Sequence, residues 1–157
     1  MSFTVSIQTE DFDISKEIAC LRAYDSSVGA VCSFVGTVRE REQHIAGSEI
    51  SSLELEHYPS MTERSIEKIM QSARERFKIN AARIVHRVGL LQPMDQIVLV
   101  AVTSPHRGES FKACEFLMDY LKTEAPFWKK ELTAGGARWV DARVSDDDAA
   151  ARWRNES

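Results

Sequence analysis

Several things are scarce in this chain of 157 residues, which holds three cysteines, four prolines and seven glycines. Cys20, Cys32 and Cys114 stand far apart with no C-x-x-C pair. That excludes a disulfide framework and a zinc knuckle, and each is expected to be a small buried apolar residue. The glycines and prolines form no linker, and no stretch is repetitive. The longest apolar run, Ile97–Val102, falls far short of the roughly 20 residues of a spanning helix. The opening MSFTVSIQTEDFDISKE carries acids where a signal peptide needs bases and lacks an apolar core, so a cytoplasmic location is expected. His44, His57, His86 and His106 show neither H-x-x-x-H nor H-x-H spacing, so no metal site is indicated. P-loop, G-x-G-x-x-G and G-x-S-x-G strings are missing too, and no cofactor is expected. Positive charge is in deficit: 20 Lys and Arg stand against 24 Asp and Glu, a net charge of −4. A general nucleic-acid binder is therefore disfavoured. Any anion must be met by a local cluster of bases.

What is present is an ordinary globular balance, 43% hydrophobic and 28% charged. The length fits one domain, residues 1–157. Phe3–Gln8 alternates like a strand, and Ile14–Tyr24 reads as a short amphipathic helix. Val28–Val38 is β-branched and reads as a strand. Residues 39–49 are polar and weakly patterned, a loop expected to be mobile. Leu53, Leu55 and His57 share one strand phase, Glu54, Glu56 and Tyr58 the other. Ser60 with Glu63 fits a capping box, with Thr62 as an alternative cap. Ile66, Ile69, Met70, Ala73 and Phe77 follow at helical spacing. Ala82–Leu91 and Gln96–Ser104 are further β runs, and a helix from Glu109 to Glu124 stops at Pro126. Trp128–Leu132 and Arg138–Arg143 flank Thr133–Gly136 as a hairpin. Residues 145–157 form a C-terminal tail in which Asp146–Asp148 is expected to be solvated. This order predicts an α+β domain with a mostly antiparallel sheet and packed helices.

Three places interrupt apolar elements with polar chemistry. Phe34–Arg39 ends a strand with a glycine and then an arginine. Thr103–Arg107 runs a buried strand into a helix start, where backbone N–H groups, His106 and Arg107 favour an anion. In Met118–Glu131, Lys122 falls near the helical meridian of Phe111 and Met118. A lysine beside apolar groups can have a depressed pKa and serve as base or nucleophile. Each feature has a plainer reading: a solvated His-Arg pair, a snorkelling Lys122, and Lys129-Lys130 on a strand's solvent side. His57 and His86 fit hydrogen-bonded, half-buried histidines better than ligands.

Four strings carry more than their individual chemistry. Leu53-Glu54-Leu55-Glu56-His57-Tyr58-Pro59-Ser60-Met61-Thr62-Glu63 is one, and Val85-His86-Arg87-Val88-Gly89 a second. Val102-Thr103-Ser104-Pro105-His106-Arg107 is the third. The fourth runs from Met118-Asp119-Tyr120-Leu121-Lys122-Thr123-Glu124 through Ala125-Pro126-Phe127-Trp128-Lys129-Lys130-Glu131. With Arg138-Trp139-Val140 they resemble, in register from about Gly29 to Trp153, the catalytic (large) subunits of molybdopterin synthase, the MoaE family.

The resemblance implies an α/β-hammerhead fold and a sulfur-transfer reaction. Two sulfurs pass from the C-terminal Gly-Gly thiocarboxylate of a small ubiquitin-like subunit to cyclic pyranopterin monophosphate, forming the dithiolene of molybdopterin. It also implies a homodimer with one small subunit at each end, a heterotetramer. Arg39, His106 and Arg107 match substrate-binding positions, with phosphate as the target that the arginine fork suits. Thr37 and Val38 match a loop whose backbone meets the pterin, although some relatives carry lysine where Thr37 stands. Lys122 and Lys129 match the two functional lysines. Lys122 is expected at the thiocarboxylate, as an ammonium stabilising developing charge or as an amine moving a proton. Lys130 and Glu131 match adjacent substrate contacts. Three other classes stay open on the residues alone: a non-catalytic paralogue that docks a ubiquitin-like sulfur carrier, a lysine-dependent Schiff-base lyase, and a purely structural domain.

Overall fold

Two four-stranded sheets divide the chain, and the computed structural model describes residues 2–40, 50–133, 136–140 and 150–154. Strands β1 (Phe3–Gln8), β2 (Ala30–Thr37), β4 (Ala81–Arg87) and β6 (Gln96–Ser104) form the first sheet in the order β1-β4-β6-β2. Strands β3 (Ile50–His57), β5 (Gly89–Leu91), β7 (Phe127–Thr133) and β8 (Gly136–Val140) form the second in the order β5-β3-β7-β8. Only β1 and β4 pair in parallel; every other pairing among the described strands is antiparallel. The expected α+β class holds. The expected single run Ala82–Leu91 is two strands in different sheets. The chain turns at Gly89, whose φ of +87° is open to glycine without the steric cost a side chain adds.

Helices α1 (Ile14–Arg22), α2 (Met61–Arg76) and α3 (Arg107–Glu124) cover the first sheet. Side chains alternate along β4 and β6, so one face carries Ala82, Ile84, Val98, Val100 and Val102 against α2 and α3. The other face carries Ala81, Val85, Leu99 and Ala101 against Phe12 and Leu21 beside α1. Burial on both sides explains the continuous apolar run in β6. Each fully buried aliphatic side chain there contributes about 1.5–3 kcal/mol. The α2 residues picked out by helical spacing, Ile66, Ile69, Met70 and Ala73, are buried as expected.

Two local expectations fail. Ser60 stands at the start of α2 with φ 71° and makes no side-chain cap. Glu63 turns instead to His57, with Oε1 3.3 Å from Nε2. Among the cysteines, Cys114 is buried and Cys32 half-buried, but Cys20 is exposed, since it lies on the outer side of a nine-residue helix.

The loop expected at 39–49 lies, beyond Glu40, outside the described residues, as do Ala134, Gly135, residues 141–149 with the Asp146–Asp148 run, and residues 155–157. Within the C-terminal segment, Trp153 is buried against α2 and α3. Its indole N–H donates to Asp119 Oδ2 at 2.7 Å, and its ring meets Phe77 and Phe116 edge-on at 5.9 and 5.5 Å. The Arg76 guanidinium lies 5.5 Å from the ring centre. Truncating this side chain removes a large buried area. Trp153→Ala is expected to lower unfolding free energy by about 3–5 kcal/mol. Trp153→Phe, which loses the hydrogen bond and part of the ring volume, should cost less, about 1–3 kcal/mol. Urea unfolding of the two variants checks both values.

Candidate active site

The end of β2 is held by a turn contributed from the segment before β6. A register shift between Gly36 and Thr37 marks a bulge that re-aims the strand end. A Cβ at Gly36 would come within 2.9 Å of Val98 Cγ1, so only glycine lets the strands approach this closely. Beyond the bulge, Thr37 and Arg39 are exposed and Val38 is 5% exposed. The Val38 N–H donates to Asp95 O at 2.9 Å, and its carbonyl accepts from Met94 N–H at 2.8 Å. Met94 is itself left-handed at φ 77°, a conformation that costs a non-glycine residue on the order of 1 kcal/mol. The expected backbone contact from Val38 is therefore already engaged within the chain, and Val38 offers the site its apolar side chain.

Strand β7 brings a second set of groups. Its register pairs Lys129 with Leu55, Lys130 with Glu54 and Glu131 with Leu53. The two-residue period puts Lys129 and Glu131 on the inner face with Leu53 and Leu55, and Lys130 on the outer face. Lys129 Nζ lies 3.9 Å from Glu131 Oε1. Glu131 is fully buried, whereas the Lys129 side chain is 39% exposed. A cation beside a buried carboxylate offsets part of the cost of burying it, and Lys129 is one such neighbour. Together Thr37, Val38, Arg39, Leu53, Ile97, Lys129 and Glu131 line a cavity of about 40 Å³. That is small beside the ~300 Å³ or more of a typical ligand pocket.

Lys130 is separated from this cavity by the strand itself. Its Nζ lies 5.6 Å from the centre of the Trp139 ring, its neighbour across β7 and β8.

Helix α3 supplies the remaining predicted residues at its two ends. It leaves β6 after Ser104 and runs back along the strand, with Cys114 Sγ halfway along it 3.8 Å from the carbonyl of Val100. Lys122, in the last turn, returns to the end of the sheet where Thr37 pairs with Gln96. His106 and Arg107 stay at the opposite end, where Ala30 pairs with Ser104. Sixteen residues of helix separate His106 from Lys122, about 24 Å. The strand from Ala30 to Thr37 gives about the same length. Five predicted residues thus share one cavity, Lys122 stands at the same end, and His106 and Arg107 lie far off within the chain.

Lys122 is exposed, which corrects the expectation of an apolar setting. Phe111, used to define that meridian, is 62% exposed. The buried face of α3 is instead set by Ser110, Ala113, Cys114, Leu117 and Leu121. Two stacked rings, His86 and Phe127, lie in this region, close enough to Lys122 for its charge to act on His86. His86 continues the Ala82–Ile84 row at the α3-facing end of β4 and stacks on Phe127 at 3.9 Å between ring centres. Its Nδ1 lies 2.8 Å from Arg87 O. A carbonyl only accepts, so the proton sits on Nδ1. Burial, helped by the charges of Lys122 and His57, pushes the His86 pKa down to about 4 against the opposing bond to Arg87. The alternation of hydrophobic residues in Ile84–Val88 was the signal that His86 faces inward. No group of three or more His, Cys, Asp or Glu is placed to hold a metal among the described residues.

These features define an α+β domain that gathers cations around a buried carboxylate at one end of a two-sheet core. The chain belongs to the MoaE protein family, whose model matches residues 7–124. It is 59% identical, over 96% of its length and 84% of the relative's, to a molybdopterin synthase catalytic subunit of Ralstonia nicotianae. Among solved structures it resembles a molybdopterin biosynthesis MoaE protein from Burkholderia ambifaria. The TM-score is 0.82 and the identity 55%, over 96% of this chain and 97% of that one. A molybdopterin synthase from Staphylococcus aureus matches at TM-score 0.77 and 33% identity, covering 87% of this chain and 96% of that one.

The state of His86 makes a stability prediction. The unfolded chain binds the imidazole proton near pH 6.5 and the folded chain near pH 4. The contribution of the neutral ring is full above pH 6.5 and is lost as pH falls towards 4, a loss on the order of 3 kcal/mol. Urea unfolding at pH 7 and pH 4 should show His86→Phe losing less stability than wild type by about that amount. Equal acid losses would remove His86 as the source.

Proposed function

We propose that this chain is the catalytic subunit of a molybdopterin synthase. It works on cyclic pyranopterin monophosphate with a small ubiquitin-like subunit whose C-terminal Gly-Gly carries a thiocarboxylate. Two sulfurs move from such tails to the substrate and become its dithiolene, which makes the chain a sulfurtransferase. The observation that carries this reading is the convergence of Arg39, Lys129 and Glu131 on one cavity, with Lys122 at the same end of the sheet, in a chain of this family.

The chemistry asks for two anions in one place. A phosphate and a thiocarboxylate brought together in a partly desolvated pocket repel each other by several kcal/mol unless cations intervene. Arg39, exposed at the end of β2, suits the phosphate through its planar fork. Lys122, exposed at the end of α3, suits the tail. The tail's sulfur bonds to a substrate carbon. Water then adds to the resulting thioester carbonyl, and negative charge grows on oxygen in the tetrahedral state. The acyl C–S bond breaks to leave sulfur on the substrate and a carboxylate on the tail. An ammonium already in place stabilises that charge without reorganisation. Lys129 is held beside the buried Glu131 and serves the substrate side. Thr37 and Val38 form the wall under the pterin. A tail ending in Gly-Gly suits an approach this narrow, because any side chain would block it. Lys130, on the outer face over Trp139, fits a contact with the partner subunit better than one with the pterin.

His106 and Arg107 join this pocket through a second copy of the chain. In a two-fold dimer, the helix start of one protomer meets the lysine end of the other, and the phosphate receives donors from both. The 24 Å estimated from helix rise within one chain supports this arrangement.

The first test is reconstituted turnover with cyclic pyranopterin monophosphate and a thiocarboxylated ubiquitin-like partner. Wild type should form molybdopterin. Lys122→Ala, still folded and still binding the partner, should be slower by a factor on the order of 100–1,000. Near-normal turnover by that variant removes Lys122 from the role. The second test mixes Lys122→Ala with Arg107→Ala protomers. If one site draws on both chains, random exchange should restore roughly a quarter of wild-type activity. No restoration would put both residues in a single chain's site.

A further inference from the structure

The chain between the two lysines is short, and it is pinned at two consecutive residues. Lys122 lies in the last turn of α3 and Lys129 is the third residue of β7, with Pro126 and Phe127 between them. The Pro126 carbonyl accepts a hydrogen bond from Thr62 Oγ1 at 2.9 Å. Thr62 Oγ1 in turn accepts from Tyr58 N–H at 3.0 Å, and Thr62 N–H donates to Tyr58 O at 2.9 Å. Thr62 is 0% exposed. One buried hydroxyl therefore joins the end of β3 and the start of α2 to the connection between α3 and β7. A valine would fill the same space without making either bond.

Phe127 is held from its other side. Its ring lies flat on His86, 3.9 Å between centres and 16° between planes. His86 is in turn fixed by its bond to Arg87 O. The Phe127 N–H closes onto Ala125 O at 3.0 Å, making the turn at Pro126 tight. Across the sheet Phe127 pairs with His57, which is bound to Glu63. Two sheets and two helices thus converge on a two-residue segment, and neither Pro126 nor Phe127 is among the residues that line the cavity. The backbone that carries both lysines is fixed between them by contacts from outside the segment.

We propose that Thr62 and His86 are positioning residues that set the spacing between Lys122 and Lys129. The proposal rests on the catalytic reading of the two lysines given above. Thr62 acts through its two hydrogen bonds. His86 acts as a flat, uncharged ring that supports Phe127 without adding a third cation beside the lysines.

The test uses the full chain with its thiocarboxylated partner, at a temperature where every variant is folded by circular dichroism. Thr62→Val should lower kcat at least about tenfold while KM and partner affinity stay within about twofold, as expected when geometry in the transition state is lost and binding is not. Thr62→Ser, which keeps the hydroxyl, should restore kcat to within about threefold of wild type. His86→Ala should behave like Thr62→Val, and His86→Phe, which keeps a neutral stacking ring, like Thr62→Ser. A second readout does not need turnover. The yield of a Lys122–Lys129 cross-link by a short amine-reactive reagent, read by mass spectrometry, should change in Thr62→Val and return in Thr62→Ser. Folded Thr62→Val and His86→Ala with wild-type kcat and cross-link yield would overturn the proposal, as would a kcat loss that Thr62→Ser does not rescue. If wild type itself makes no product, the catalytic reading fails, and the cross-link yields still decide whether these residues set the spacing.

Discussion

The return of α3 along β6 is the constraint on which the rest of the arrangement depends. A nine-residue strand and an eighteen-residue helix have nearly the same length, about 30 and 27 Å. The helix therefore delivers its last turn to the end of the sheet at which β6 began. Burial enforces the match. Val98, Val100 and Val102 face the row Ala113, Cys114 and Leu117, and all are buried. Sliding the helix by one turn would expose part of that row and forfeit several kcal/mol. Lys122 stands beside the β2 end for this reason, and His106 and Arg107 stand at the other end for the same one.

The second sheet adds the alternation that sorts Lys129 and Glu131 from Lys130. Three consecutive charged residues look equivalent along the chain. Pairing of β7 with β3 puts the outer two beside Leu53 and Leu55 and turns the middle one toward Trp139. Lys129 stands 3.9 Å from the buried Glu131 carboxyl, and a cation there offsets part of the cost of burying it. The pair is thus a structural unit before it is a chemical one, and the charge offered to a ligand at the cavity mouth is that of Arg39 and the exposed part of Lys129.

Much of this was legible from patterning. The strand phases of Leu53, Leu55 and His57, the helical spacing of Ile66 to Ala73, and the buried run of β6 all appear where alternation and periodicity place them. The division of Ala82–Leu91 did not appear there, because a continuous apolar run carries no mark of which sheet it joins; the left-handed Gly89 decides that. The capping expectation failed because Ser60 takes a φ of 71° and Glu63 turns to His57 instead, while Thr62 bonds to Tyr58 and to Pro126, the latter 64 residues away. A meridian drawn through Phe111 misplaced the apolar face of α3, since one exposed aromatic weighs as much as a buried one in a periodicity argument.

The linear sequence by itself determined the α+β class, the residue types of the site and the strings shared with the MoaE family. Those properties are local: propensity, phase and side-chain chemistry are set within a few residues. Only the tertiary structure decided which of the nine candidate residues meet. It brought Thr37, Val38, Arg39, Lys129 and Glu131 to one cavity, turned Lys130 away, and left His106 and Arg107 a helix length from Lys122. Those outcomes come from strand register and from the direction in which α3 packs. Both are fixed by burying surfaces far apart in the chain, and no local string encodes them.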